Sequence, residues 1–189
     1  MNPEPEALLQ PETPAATTST VELVVLVDDA GTPVGTTPKS TVHTATTPLH
    51  LAFSCHVTNA EGDILVTRRA LTKATWPGVW TNSFCGHPGP GETPAEAVAR
   101  RAFQELGMEV EGVTPILPDF RYRAVDASGI VENEICPVFT ARAVGEPNPS
   151  ADEVAEWAWI APDALRASVE ATPFAWSPWL GWQLQAWPA

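Results

Sequence analysis

Thr93 to Gly107 is the segment that most limits what this chain can fold into, because its start, its face and its end are all written in it. Thr93-Pro94-Ala95-Glu96 reads as an N-cap, a proline at the first helical position and a capping-box glutamate. Val98, Ala102 and Leu106 repeat every four residues, a stripe that packs inward, and Gly107 supplies the stop. Glu105 lies beside that stripe, four residues after Arg101, which is the spacing of an exposed ion pair along a helix. A turn rich in Gly and Pro, from Pro88 to Glu92, leads into the helix.

Most of the remaining signals are for strands. Val21 to Asp28 is a β-branched run ended by the turn set Asp29-Ala30-Gly31-Thr32. Ala52 to Asn59 and Ile64 to Arg69 flank Ala60-Glu61-Gly62-Asp63 and predict a hairpin. Phe120 to Val125 and Ile130 to Cys136 flank Asp126-Ala127-Ser128-Gly129 and predict a second one, with residues 137–142 continuing as an apolar strand. After a Pro-rich loop from Glu146 to Ser150, Val154 to Ile160 is strand-like. Pro162 opens a helix to about Ala171, and Ser177-Pro178 caps a last one carrying Trp179, Trp182 and Trp187. Strands interleaved with helices, with no internal repeat and no linker inside 21–189, predict one α+β domain. Residues 1–20, rich in Pro, Thr, Ala and Glu, predict a disordered leader.

Charge narrows the partners. Ten Lys plus Arg stand against 23 Asp plus Glu, a formal net charge of -13, which argues against nucleic-acid binding. Any anionic ligand must be held by a local group of cations or by metal, against the field of the whole chain. Cys55, Cys85 and Cys136 are odd in number and widely spaced, so the simplest setting is a reducing cytoplasm. No basic-then-apolar leader and no run of about 18 apolar residues is present, so no membrane insertion is expected. A monomer or a homodimer is expected.

Chemistry-bearing residues gather in a few places. In Trp76-Pro77-Gly78-Val79-Trp80-Thr81-Asn82-Ser83-Phe84-Cys85-Gly86-His87 a thiol and an imidazole stand two apart, on the same face of an extended segment. Gly86 between them would let the backbone approach a ligand closely. His43 and His50 lie in a stretch with Pro48 and four threonines, which reads as a loop passing over a site. His56, inside a strand, reads as structural. Arg68, Arg69 and Lys73 cluster three cations within six positions, a candidate pocket for a polyanion. Glu132 and Glu134 alternate with their neighbours and so share a strand face, where two acids repel unless a cation compensates. Three histidines (His43, His50, His87) with two glutamates could close a site for Zn, Mn or Mg.

Gly86, Glu92, Arg100-Arg101-Ala102, Gln104-Glu105 and Gly107-Met108 resemble a Nudix box, with Arg101 and Gln104 standing where that motif has acids. The flanking strings are more specific. LHLAFS (49–54), LVTRRA (65–70), WPGVWTNSFCGHP (76–88), PDFRYRA (118–124) and SGIVENEICPVF (128–139) resemble type I isopentenyl-diphosphate isomerase, a family of Nudix fold. The resemblance runs from about Val21 to about Trp182. It implies mixed or antiparallel β-sheets packed between α-helices, and interconversion of isopentenyl and dimethylallyl diphosphate by a 1,3-proton shift.

The resemblance further implies that His43, His50, His87, Glu132 and Glu134 bind one divalent metal (Mn, Zn or Mg). Glu105 and the Cys85 backbone carbonyl would hold a Mg ion carried by the diphosphate. Lys39, Arg69 and Lys73 match diphosphate contacts, Cys85 and Glu134 match the two proton-transfer groups, Tyr122 assists, and Trp179 lines the alkene pocket. Such chemistry needs a dry site, because water would quench a tertiary carbocation, and aromatic faces can stabilise that cation. Cys85 as thiolate and Glu134 as acid, on opposite sides of the substrate, would satisfy it. The loss of acids at Arg101 and Gln104 weighs against the alternative, a Nudix-type diphosphate hydrolase. A non-catalytic metal- or diphosphate-binding module would be expected to have lost Cys85 or Glu134, and both are present.

Overall fold

A computed structural model describes residues 21–187, so the leader expected over residues 1–20 lies outside the described residues. The chain begins with strands β1 (Leu23–Val27) and β2 (Pro33–Pro38), a one-turn helix α1 (Lys39–Val42) and strands β3 (His50–Leu51), β4 (Phe53–Thr58) and β5 (Ile64–Arg69). Two short strands follow, β6 (Trp80–Thr81) and β7 (Phe84–Gly86), and then helix α2 (Pro94–Leu106). Strands β8 (Glu109–Leu117), β9 (Arg121–Val125), β10 (Val131–Ile135), β11 (Val138–Val144) and β12 (Val154–Ile160) precede helices α3 (Pro162–Ala171) and α4 (Pro178–Ala186).

The strands form two sheets, one ordered β2-β1-β3-β10-β9 and the other β12-β5-β4-β11-β8, with β6 beside β5 and β7 beside β4. Each sheet contains one parallel step, β3 with β10 and β4 with β11, among antiparallel ones. The α+β expectation with mixed sheets holds.

Helix α2 forms as its sequence says. The Thr93 hydroxyl accepts the Glu96 N–H at 3.3 Å while the Glu96 carboxylate takes the Thr93 N–H at 2.8 Å. At the other end Gly107 adopts a left-handed φ of 61° and returns its N–H to Phe103. The buried stripe of α2 lies against one face of the larger sheet, with Ala97, Val98, Ala102 and Leu106 packed on Phe53, Cys55, Val57, Leu65 and Phe84. Ile64 and Val66, pointing the other way from Leu65, pack on Leu165 and Val169 of α3 and Leu180 and Leu184 of α4. This sheet is therefore covered on both faces, which is why β4 is buried from Phe53 through Val57, its polar positions Ser54 and His56 included.

The second hairpin is in full register from Val131 opposite Val125 to Ile135 opposite Arg121, and the Asp126 carboxylate closes its turn by accepting the Ser128 and Ile130 N–H groups. The first hairpin opens straight after its turn. β4 and β5 pair at Thr58 and Ile64, and beyond that β4 takes β11 and β7 while β5 takes β12 and β6.

The strand expected to continue through 137–142 does not continue in the same sheet. Pro137, which has no N–H to give a ladder, marks the point where the chain leaves β10 and enters the other sheet as β11. Ala52 makes the same passage between β3 and β4, and the two crossings run side by side, held by Ala52 N–H to Ile135 O (2.9 Å) and Ser54 N–H to Pro137 O (3.1 Å). Ser177 precedes α4 without capping it through its side chain, because its hydroxyl is taken by Thr81 at 2.7 Å. Trp187 stands just past the end of α4, with its ring 4.7 Å from that of His56. No helix among the described residues is long and apolar enough to cross a membrane.

Candidate active site

Between the two sheets, where the crossings occur, lies a pocket of about 620 Å³ lined by Lys39, His43, Arg69, Lys73, Cys85, His87, Glu105, Tyr122, Glu132, Glu134 and Trp179. All of these are residues that the sequence singles out. A larger and more apolar cleft of about 880 Å³, lined by Trp76, Phe174, Trp176 and Trp182, holds none of the candidate acids or histidines. The candidate residues gather in the smaller pocket.

β10 organises it. Glu134 stands in register with His50 on one neighbouring strand and with Tyr122 on the other, which brings the three to one sheet face. β10 is interior to its sheet, so Glu132 and Glu134 are not on an exposed edge, and both are buried. His50 is not in a loop either. It begins β3, paired with Leu26 and Glu134, and is fully buried, while His43 follows the single turn of α1.

One donor atom from each of His43, His50, His87 and Glu134 lies within 4.8 Å of the others. Glu132 joins through His43, its Oε2 being 2.9 Å from His43 Nε2. Yet His43 Nε2, His50 Nε2, Glu132 Oε2 and Glu134 Oε2 are buried without a hydrogen bond. Several short distances that do not make hydrogen bonds mean that lone pairs converge on a shared point instead of pairing with one another. The His50 ring is set for this, because its Nδ1 is 2.9 Å from the Pro48 carbonyl, which puts the proton there and leaves Nε2 bare. Imidazole nitrogens and carboxylate oxygens converging in this way fit a divalent metal ion.

Burial would raise the Glu134 carboxyl, but the His50 and His87 imidazoles close beside it outweigh that and hold the group well below the usual carboxylate range. Burial pushes the Cys85 thiol up to about 12, against the opposing influence of the Ser54 hydroxyl and the Asn82 side chain beside it. Burial of Cys85 favours the thiol and the two imidazoles beside Glu134 favour its carboxylate, whereas the resemblance implies a thiolate and an acid. Tyr122 is likewise held protonated, first by burial and then by the charges of Glu134 and Glu132. Its ring is 5.5 Å from that of Trp179, which is buried and donates its indole N–H to Asn82 Oδ1 at 3.1 Å.

Three cations, Lys39, Arg69 and Lys73, also line the pocket. Lys39 meets Glu22 at 3.1 Å, Arg69 donates to the Thr75 carbonyl at 2.8 and 3.1 Å, and Lys73 pairs with Glu153. Glu105 does form the ion pair with Arg101 that the spacing suggests, but the pair is buried rather than exposed, and burial raises the Glu105 carboxyl. Glu105 is not part of the histidine cluster. Gly86 lines the pocket, and packing gives a second reason for it. A Cβ there would meet Phe53 and Arg101 at 3.0 Å, so packing between β7 and its neighbours also demands glycine.

Sequence reasoning passes over several members of the site. Arg101 reads as a departure from a motif, whereas its guanidinium lines the pocket and reaches Glu22 at 3.2 Å and Glu153 at 3.4 Å. The available signal was its position one turn from Val98 and beside Ala102, on the buried side of α2. Asn82 is fully buried and accepts from Thr81, Cys85 and Trp179. An amide inside a strand-forming string was its mark.

The NUDIX domain family matches residues 48–180. The crystal structure of DR0079 from Deinococcus radiodurans has the same fold, with a TM-score of 0.69 at 20% identity, covering 89% of this chain and 100% of that one. Fold and site thus define a NUDIX-domain protein with a histidine and glutamate cluster in its pocket. The isopentenyl-diphosphate Delta-isomerase of Kocuria rhizophila is 61% identical over 167 residues, covering 88% of this chain and 93% of that protein. That of Leifsonia xyli subsp. xyli is 64% identical over 167 residues, covering 87% and 90%. The chain belongs to the isopentenyl-diphosphate Delta-isomerase family.

Proposed function

We propose that this isomerase interconverts isopentenyl and dimethylallyl diphosphate with Cys85 and Glu134 as its two proton-transfer groups. The observation that carries the reading is that the Cys85 thiol and the Glu134 carboxyl open into one pocket whose wall is Trp179 and Tyr122. A proton added to the terminal CH₂ of the alkene leaves a tertiary cation. Loss of a proton from the carbon next to the diphosphate-bearing CH₂ places the double bond in its new position. No redox partner is needed, and each group is donor in one direction and acceptor in the other.

The aromatic faces of Trp179 and Tyr122 stabilise the cation, each by up to about 2 kcal/mol when desolvated. Tyr122, kept protonated beside Glu134, supports the carboxyl through the transfer. Lys39, Arg69 and Lys73 orient the diphosphate, and Arg101, which shares their pocket, adds to that field. Each of these cations is held by an acid or a carbonyl of the chain, so the positive wall is rigid before substrate arrives. His43, His50, His87, Glu132 and Glu134 would hold one divalent ion (Mn, Zn or Mg), and Glu105 with the Cys85 carbonyl would hold a Mg ion accompanying the diphosphate. When bound, these ions offset the diphosphate charge and make a proton on the Glu134 carboxyl easier to release.

The test is NMR of the pure protein with isopentenyl diphosphate and Mg in deuterated buffer. Dimethylallyl diphosphate carrying deuterium, with no phosphate released, is the expected result. Phosphate without isomer would mean a hydrolase, and unchanged substrate with replenished metal would mean a binding module.

A further inference from the structure

A line of polar groups runs from the Cys85 sulfur into the apolar core, and the proton shift as written leaves it unused. Ser54 Oγ lies 3.2 Å from Cys85 Sγ and 3.4 Å from Cys136 Sγ. Gln183 Nε2 donates to Ser54 Oγ at 2.9 Å, and Gln183 Oε1 lies 2.9 Å from His56 Nε2. Ser54, His56 and Gln183 are all at 0% exposure. Buried polar side chains in a row between β4 and α4 are costly unless each finds a partner, so their hydrogens must run in a consistent direction.

The far end fixes that direction. His56 Nδ1 is buried without a partner, so it carries the bare lone pair and Nε2 carries the hydrogen. Burial holds the ring near a pKa of about 4, which keeps it neutral. Nε2–H then donates to Gln183 Oε1, and this turns the Gln183 amide N–H toward Ser54. The Ser54 oxygen can accept from Gln183 and from the Cys136 thiol, and its own hydrogen points at Cys85, the nearer sulfur. On the other side, Cys85 Sγ donates to Asn82 Oδ1 at 3.3 Å. Asn82 is itself locked by its Nδ2 bonds to the Cys55 and Phe84 carbonyls at 3.1 and 2.7 Å.

We propose that Ser54 is a positioning residue for Cys85, with its hydroxyl aimed by Gln183 and His56, so that the sulfur is gripped between Ser54 and Asn82 in one rotamer. The sulfur accepts from one side, donates to the other and keeps a lone pair for the pocket. This inference rests on the reading of Cys85 as a proton-transfer group. It gives His56, two residues along the same face of β4 from Ser54, a part in the site, and it explains why a glutamine is buried in α4 among leucines.

The test is the S–H stretching band of Cys85 in the metal-loaded protein, identified as the band lost in Cys85→Ser, because its frequency reports the hydrogen bonds at sulfur without any turnover. Ser54→Ala is expected to shift that band and to lower kcat about tenfold while KM stays within about twofold. Gln183→Met, which removes the aiming amide and leaves the sulfur alone, is expected to shift the band in the same direction. If Ser54→Ala does not fold, Gln183→Met decides alone. A band that does not move, a kcat loss with the band in place, or a wild-type spectrum with no Cys85 band would overturn the proposal. Full activity in Cys85→Ser would instead overturn the assignment of Cys85 itself, a separate result.

Discussion

Glu134 and Tyr122 are direct register partners across β10 and β9, so a phenol and a carboxylate share one buried sheet face. Directly opposed side chains on an antiparallel pair lie about 5 Å apart at Cβ, close enough to act together. Tyr122→Phe retains the ring against Trp179 and removes the hydroxyl alone. Its kcat is expected to fall by about tenfold or more, with little change in melting temperature, since one hydrogen-bonding group is worth about 1 kcal/mol. Steady-state kinetics beside a thermal melt check this; unchanged kcat would confine Tyr122 to the wall of the pocket.

The unpaired donor atoms of the histidine cluster predict how the protein responds to metal. Ions that bind the folded state and not the unfolded one stabilise it by mass action, by about 2.7 kcal/mol at a hundredfold excess over Kd, and so raise the melting temperature. Chelation is expected to lower the melting temperature by several degrees, and Mn or Zn is expected to restore it. His50→Asn should abolish the response, because His50 Nε2 is one of the buried unpaired atoms. A melt indifferent to chelator and metal would argue that the cluster is structural.

Cys85 and Glu134 separate by what else they do. Cys85→Ala is expected to abolish turnover and leave fold and cluster metal content intact, because the thiol is not among the converging donor atoms. Glu134→Gln is expected to stop turnover and to weaken the metal as well, since its carboxylate belongs to the cluster. Metal analysis of both variants, run with the activity assay, distinguishes them. Wild-type turnover in either one removes that residue from the mechanism.

Helix α2 and the β9–β10 hairpin were legible because their instructions are local: a capping box and a glycine stop in one, an Asp–Gly turn in the other. β3 and the bounds of β6 and β7 inside their extended segment were not, since strands of two or three residues exist by virtue of partners far away in the chain. β2 and β8 also went unread, being mostly exposed and without a clean alternation of apolar residues. The passage at Pro137 looked like continuation because both halves of the run are apolar.

In the site, the individual ligands and proton-transfer candidates could be named from residue types and resemblance. Their state could not. Arg101 draws together Glu22, Glu105 and Glu153, and no spacing rule reports an ion pair to residue 22 or 153. Likewise His56 and Gln183 are 127 positions apart, and the burial that pushes the Cys85 thiol up is set only by packing.

Gly107 offers a test of the fold independent of chemistry. Its φ is 61°, and an added Cβ would fall 2.2 Å from the Asn148 carbonyl oxygen, a backbone atom that cannot step aside cheaply. A left-handed L-residue already costs roughly 1–2 kcal/mol. Gly107→Ala is therefore expected to lose more than Gly145→Ala, where φ is 85° and nothing lies within 4 Å. Denaturant unfolding of both variants checks the order. Equal losses would mean that the loop at Asn148 yields easily.

His56 predicts the shape of the acid limb of stability. Burial lowers its pKa from 6.5 to about 4, so between those values the unfolded chain binds a proton that the folded chain refuses. Stability should fall as pH drops through that window and stop depending on this group below about 4, where both states are protonated. The whole effect is on the order of 3 kcal/mol for this one side chain. His56→Phe, which fills the site without titrating, is expected to remove that slope even though it also leaves Gln183 without its partner at 2.9 Å. Unfolding free energies of both proteins, measured without metal from pH 7 down to pH 4, isolate the term as a difference in slope. Parallel curves would mean that the imidazole takes up its proton without leaving the core, and that the line of groups from His56 to Cys85 tolerates a charge at its end.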